Sequence, residues 1–431
     1  MRGWVLVRRI LYLIFATTTL LILGLIYAWS IFARPIGAAF PEYELMLPMV
    51  FQVSLFMFCL ASLVGAQIIK RISPRVAVIV AASFLCVGFI STALCASWGV
   101  WALFIFYGVF AASGCGIGYN SIVSLVNPWF PDRIGLSSGV MMMGFGIATL
   151  VFGSLANAAF AIFEWSTVFI IIAVFGTCVM LTFAFVVKPA PADIARQLGL
   201  PVTTHAIKES PTMSQNILRT KAFWYYFTWA TAVVACGLAL LGSAAQGAIT
   251  LGINTGFAVL FVGLLSTSNS IGRVVNGAIF DRFGLIVVMR LNSIIPIIAM
   301  LGLFLAWFLQ AQGISAILYV TSGLLVVFAT GSAPVMGAGF SRRRFRASDF
   351  SKNFGIVTCC MAVAAVVNII VGGFFGAPHA GNGAIIYIIF TGIATVALLS
   401  VLVFSKIYRS DLAKIDKELA ELAEPAALAG N

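Results

Sequence analysis

Apolar residues run along this chain in long blocks, separated by short polar or Pro/Gly-bearing turns. A helix needs about 20 apolar residues to cross a hydrocarbon core about 30 Å thick. Twelve blocks reach that length, at 10–33, 44–69, 76–97, 99–126, 134–158, 165–187, 222–249, 255–280, 285–308, 314–339, 350–376 and 383–406. One connection is long, 188–221, opening with Lys188-Pro189-Ala190-Pro191, and it divides the spans six and six. The pattern predicts an all-α membrane protein of twelve transmembrane helices in two six-helix bundles. Residues 1–187 form the first bundle, 188–221 a linker, 222–406 the second bundle and 407–431 a tail. The first block follows Arg8-Arg9 but is too long for a signal peptide. In the tail, Leu412, Ile415, Leu419 and Leu422 recur at helical spacing, which predicts a short amphipathic surface helix.

Composition leads to the same solvent. The 431 residues are 62% hydrophobic and 9% charged, against about 45–50% and about 25% in a soluble domain. So few charges cannot cover a soluble surface, which excludes an ordinary soluble enzyme, a disordered chain and a nucleic-acid binder. The formal net charge of +12 changes the picture only through its placement. Of the 25 Lys and Arg, Arg34 lies at an outer loop and Arg273 inside a span; every other one falls at the amino terminus, the even-to-odd connections or the tail. This is the positive-inside pattern. It predicts a multi-pass protein of the inner (plasma) membrane with both termini cytoplasmic, its basic residues meeting anionic lipid rather than nucleic acid. The run Ser341 to Arg346 reads as such an anchor.

The eight cysteines all fall inside spans without a CxxC pair, and buried cysteine acts as a small hydrophobe. The two histidines, His205 and His379, lie in the linker and an outer loop. No disulfide, metal site or cofactor is expected. A membrane-embedded enzyme would need a nucleophile, a paired acid and base, or a metal cluster, and the spans supply none.

Arg273 is the one ionisable side chain placed well inside a span, eight residues before Asp281. That is about 12 Å from the nearer edge, close to mid-depth. A cation there costs from about 3 to over 10 kcal/mol unless it faces water or a counter-charge. No intramembrane acid is available: Glu42, Glu44 and Glu164 belong to outer loops, and Asp349 opens span eleven. Either the guanidinium bonds backbone carbonyls or snorkels, or its counter-ion is the substrate, since its fork takes a carboxylate bidentately. Ser266, Asn269, Ser270, Arg273, Asn276 and Gly277 share one helix face, and a polar stripe in a membrane faces a cavity or another helix. Tyr119 and Asn120, midway along span four, are candidate partners from the other half; Gln246 in span seven is a weaker one. Tyr27 suits the site or the interfacial aromatic belt equally, and Trp29 suits the belt. The glycines of spans four and five read as helix packing.

An internal repeat completes the pattern. Gly277-Ala-Ile-Phe-Asp281-Arg282-Phe-Gly284 follows span eight, and Gly65 to Arg75, with Lys70 and Arg71, follows span two, half the chain away. The first resembles the loop signature of the major facilitator superfamily, and the second a degraded copy of it. Tyr27-Ala-Trp29-Ser30 in span one, Asn127-Pro-Trp129-Phe130-Pro131-Asp132-Arg133-Ile-Gly135 after span four and Ser351-Lys352-Asn353-Phe354-Gly355 opening span eleven resemble the oxalate:formate antiporter family, relatives of the monocarboxylate transporters. The resemblance covers nearly the whole chain. It implies two pseudo-symmetric bundles, alternating access to a central carboxylate site, and a gating role for Gly277, Asp281, Arg282, Gly284 and Arg71. Three departures stand out. Lys70 replaces the acid of the first loop, Met361 occupies the position of the family's second cation, and the Thr330–Pro334 region lacks the oxalate carrier's aromatics. The position of Asn269 often carries an aspartate in proton-coupled relatives, and asparagine cannot carry a proton. The expectation is a secondary transporter of small organic anions, a monocarboxylate above all, working as a monomer by exchange. The alternatives are proton-coupled symport and drug export.

Overall fold

The computed structural model describes residues 2–43, 46–191, 193–200, 211–241, 243–309, 313–376 and 382–428. His205, His379 and Glu44, and the side chain of Leu422, lie outside the described residues. Twelve helices are long and apolar enough to span a membrane. They are α1 (Trp4–Ala28), α2 (Met49–Arg71), α3 (Pro74–Trp98), α4 (Val100–Trp129), α5 (Ile134–Phe152), α6 (Trp165–Val186), α7 (Lys221–Leu241), α8 (Thr255–Phe283), α9 (Leu285–Leu309), α10 (Ile314–Arg344), α11 (Ala347–Phe375) and α12 (Gly383–Glu421).

Local chemistry sets several helix ends. Ser73 caps α3, its hydroxyl accepting from the Val76 amide at 3.2 Å, with Pro74 at the first helical position. The Asn254 side chain accepts from the Phe257 amide at 2.8 Å and starts α8. Gly284 ends α8 with φ +83°, a conformation that favours glycine.

The packing repeats when every helix number is raised by six. In the first half α1 packs on α5, α2 on α4, and α3 on both α4 and α6; in the second, α7 packs on α11, α8 on α10, and α9 on both α10 and α12. The halves meet along α5–α8 and its counterpart α2–α11. The all-helical, twelve-span, two-bundle architecture expected from the hydropathy pattern is therefore present.

Three details differ from expectation. The seventh apolar block is broken at Ser243, whose backbone is non-helical (φ −135°, ψ 12°), so Ala244–Thr250 forms a separate short helix. The tail does not form its own helix: the last span continues unbroken from Gly383 to Leu428. Its lower turns bury Ile415 and Leu419, and Glu418 accepts from the Thr212 amide at 3.0 Å. The Ser341–Arg346 run does not lie wholly at the surface, as an anchor would. Arg344 is 1% exposed and donates to Asp411 (2.8 Å), the Thr212 carbonyl (2.8 Å) and Gln215 (3.2 Å).

The end of the molecule that carries the termini and most basic connections (the basic end) is closed between the halves. Gly135 of α5 and Gly277 of α8 lie backbone to backbone, so a Cβ on either would overlap the carbonyl oxygen of the other. Asp281 of α8 accepts from the amides of Gly135 and Leu136, each at 2.7 Å, and so caps the first turn of α5 from another helix. On the other seam Lys70 of α2 pairs with Asp349 of α11 at 3.3 Å. Beneath it Asn120 donates to the Ser62 and Ser351 carbonyls, both at 3.0 Å, and accepts from Ser351 at 2.7 Å and Ser124 at 3.0 Å.

Two thermal-unfolding comparisons in detergent test these contacts. Alanine is favoured over glycine in a helix by about 1 kcal/mol. Gly392→Ala in α12, with open space around it, is expected to raise the unfolding midpoint, whereas Gly277→Ala is expected to lower it because the seam must part. Asp281→Ala leaves two amides of α5 uncapped and is expected to cost about 1–2 kcal/mol, with Asp281→Asn losing less.

Candidate functional site

Arg273 lies on α8 where that helix crosses α5, and it is 6% exposed. Its Nε donates to Asn269 Oδ1 at 3.1 Å, one turn earlier on the same helix. Its Nη1 donates to the carbonyl of Met142 on α5, across the two halves. Asn269 is itself fixed, donating to the Val327 carbonyl of α10 at 3.1 Å. Among the described residues no carboxylate pairs with Arg273, and its Nη2 has no hydrogen-bond partner. The guanidinium thus meets neutral acceptors only, and its charge is uncompensated.

Close backbone approach makes this position accessible. A Cβ at Gly146 of α5 would come 3.2 Å from Arg273 Cζ, and one at Gly331 of α10 would come 3.3 Å from Arg273 Cγ. A Cβ at Gly146 would also crowd the Ser270 hydroxyl, and one at Gly331 would overlap the Asn269 carbonyl, so both glycines allow the close helix approach around the arginine. The rest of the polar stripe also faces helices rather than lipid. Ser266 donates to the Gly146 carbonyl at 3.0 Å, and Asn276 accepts from Asn292 of α9 at 2.6 Å.

The first half supplies an aromatic wall. Phe145 of α5 stands edge-on to Tyr27 of α1 with ring centroids 5.4 Å apart. It also packs against Tyr119 of α4 at 5.1 Å and Phe58 of α2 at 5.5 Å. Phe354 of α11 stacks on Tyr119 at 5.7 Å. Both tyrosines pack on Phe145, one residue before Gly146, the point at which α5 approaches Arg273. Neither hydroxyl forms a hydrogen bond with a described residue.

The residues singled out in the sequence therefore separate into groups. Arg273 bonds Asn269, and Tyr27 and Tyr119 pack on Phe145, next to the Gly146 position that Arg273 approaches. Asn120 is fully buried, but its side chain is committed to the Ser62–Ser351 network described above. Gln246 is exposed on the short helix Ala244–Thr250. Trp29, expected in the aromatic belt, is instead buried and donates to the Leu47 carbonyl at 2.7 Å. Among the loop residues, Gly277 and Asp281 hold the α5–α8 seam and Gly284 ends α8. Arg282 lies exposed over Phe283, 5.2 Å from its centroid. Arg71 is exposed at the end of α2 and has no ion pair among the described residues. Met361 is half-buried on α11.

Sequence reasoning missed Phe58, Phe145, Phe354 and the Met142 carbonyl. A phenylalanine among 37 carries no mark of its own. The one available signal was the spacing of Gly139 and Gly146, which places two side-chain-free positions on one face of α5 where α8 approaches.

Comparison with known proteins gives this geometry a family. The Major Facilitator Superfamily profile matches residues 10–339. The chain is 24% identical over 386 residues to the oxalate:formate antiporter of Oxalobacter formigenes, covering 87% of this chain and 85% of that protein. It is 22% identical over 359 residues to YhjX, an uncharacterised MFS-type transporter of Escherichia coli K12, covering 83% and 86%. Among solved structures, the proton:xylose symporter XylE superposes with a TM-score of 0.70 at 16% identity, over 92% of this chain and 94% of that one. The transporter FucP in its outward conformation superposes at 0.65 and 14% identity, over 92% and 99%. With twelve spans in two repeated halves and the family profile along most of its length, the chain belongs to the major facilitator superfamily, whose members are secondary transporters and not enzymes.

Proposed function

We propose that this transporter carries a small monocarboxylate by alternating access, exchanging one anion for another, with Arg273 as the carboxylate ligand. The observation that carries the reading is a buried guanidinium that has neutral acceptors only and one terminal nitrogen unbonded among the described residues. A carboxylate oxygen on Nη2, with the second oxygen drawing Nη1 from the Met142 carbonyl, would give the bidentate pair that this fork favours. Tyr27 and Tyr119 supply hydroxyl donors, and Phe58, Phe145 and Phe354 supply an apolar wall for the remainder of a small anion. The similarity to an oxalate:formate antiporter supports an organic-anion substrate. Met361 in place of a second cation favours one carboxylate over two, because a second anionic group would have no fixed charge to meet. The basic end is taken as cytoplasmic on the positive-inside pattern.

Exchange follows from the same charge. An empty carrier that changes sides must occlude Arg273 with no counter-charge. If that costs about 3 kcal/mol more than the loaded transition, return of the empty form slows by about 100-fold. Asn269 offers no proton to relieve it.

Proteoliposomes test both parts. Arg273→Gln is expected to fold and to reduce carboxylate uptake by about 100-fold. Arg273→Lys keeps the charge without the fork and should retain a small part of the rate. Continued transport by Arg273→Gln, or transport of neutral or cationic compounds by it at the wild-type rate, would sink the assignment. For the coupling mode, labelled formate, lactate and oxalate are compared in vesicles loaded with the same anion and in empty vesicles. Exchange predicts fast uptake only into loaded vesicles; equal rates into empty vesicles under a pH gradient would mean proton symport.

A further inference from the structure

A second concentration of cations lies away from Arg273. Where α7 begins and α12 leaves the apolar region, a cavity of about 440 Å³ opens at the basic end. Arg219, Lys221, Lys406 and Lys414 line it, all exposed, and none has an ion pair among the described residues. Its one acid, Asp411, is already neutralised by buried Arg344 at 2.8 Å. The walls are fixed by that pair and by the bonds from Arg344 to Thr212 and Gln215. This open depression therefore presents four cations that have no ion pair among the described residues.

What lies beneath the cations indicates the ligand. Trp224 follows Lys221 by three residues on α7, and Leu402 and Val403 precede Lys406 by four and three on α12, so each set shares a helix face. Trp224 is 54% exposed, Leu402 48% and Val403 41%, one turn deeper into the apolar region than the lysines. A ligand with a phosphate head and a long apolar body meets both zones at once; a free phosphate meets only the upper one. We propose that this pocket is a binding site for an anionic glycerophospholipid, its phosphate among Arg219, Lys221, Lys406 and Lys414 and its acyl chains along Trp224, Leu402 and Val403. The site clamps the linker segment 211–219 to the ends of α7 and α12 and is independent of the transported substrate.

Native mass spectrometry of the full-length protein in detergent tests this, with phosphatidylglycerol and phosphatidylcholine added in equal amounts. Wild type is expected to retain phosphatidylglycerol over phosphatidylcholine by about tenfold or more. The fourfold variant Arg219→Gln, Lys221→Gln, Lys406→Gln, Lys414→Gln should lose that preference. A control removing four exposed cations elsewhere at the same end, Arg75→Gln, Lys188→Gln, Arg196→Gln, Arg290→Gln, should keep it. If the fourfold variant does not fold, the pairs Lys221→Gln/Lys406→Gln and Arg219→Gln/Lys414→Gln should each lose part of the preference. Glycerol 3-phosphate in excess should displace little lipid. An unchanged preference in the pocket variants, an equal loss in the control, or full displacement by glycerol 3-phosphate would each overturn the proposal.

Discussion

A positive charge at mid-depth in a membrane protein must be stabilised by something, and here that constraint organises the whole centre of the molecule. Arg273 is held by Asn269 on its own helix and by a backbone carbonyl of the opposite half. Both are neutral. Nearby features accommodate this arrangement: Gly146 leaves space for the guanidinium, Gly331 lets α10 approach the backbone of α8 at Asn269 and Arg273, and Asn269 is itself bonded to α10. The aromatic wall lowers the local polarity, which strengthens the electrostatic contacts the guanidinium makes.

The same residue joins the two halves. Its bond to Met142 continues the α5–α8 seam that starts at Gly135, Gly277 and Asp281. On the binding mode proposed above, ligand binding and the closure of the halves would compete for one group. An anion taking Nη1 would remove a contact between halves and replace it with a charged contact to the ligand. Occupancy would then be linked to conformation through differential contacts, without any longer-range pathway.

The architecture was legible in the chain because apolar blocks of spanning length, broken by polar turns, admit few other readings, and Arg273 stood out as a charge without a partner. The polar stripe of α8 was legible from its three- and four-residue spacing. The parts that escaped had tertiary causes. Asn120 and Tyr119 are adjacent in sequence, yet successive helical residues diverge by about 100°. Ser351 of α11 then engages the asparagine with both its carbonyl and its hydroxyl. Gln246 was assigned to a continuous span, and the break at Ser243 moved it elsewhere. Lys70 looked like a loss, since it stands where an acid is expected. Asp349 on the facing helix pairs with it, and no inspection of one helix alone could reveal that partner.

The carboxylate cap supplied by Asp281 has a different character from the buried contacts at the centre. It is half-buried at a helix start near the rim, where separating the halves lets water reach both the carboxylate and the two amides it held. Rehydration offsets most of the lost bonding, so the net loss is only of the order of 1 kcal/mol. Nothing comparable rescues the guanidinium deeper in. The rim fastening therefore opens at little cost and reforms readily, like a snap closure, whereas a guanidinium parted from its acceptors in the interior has no such compensation.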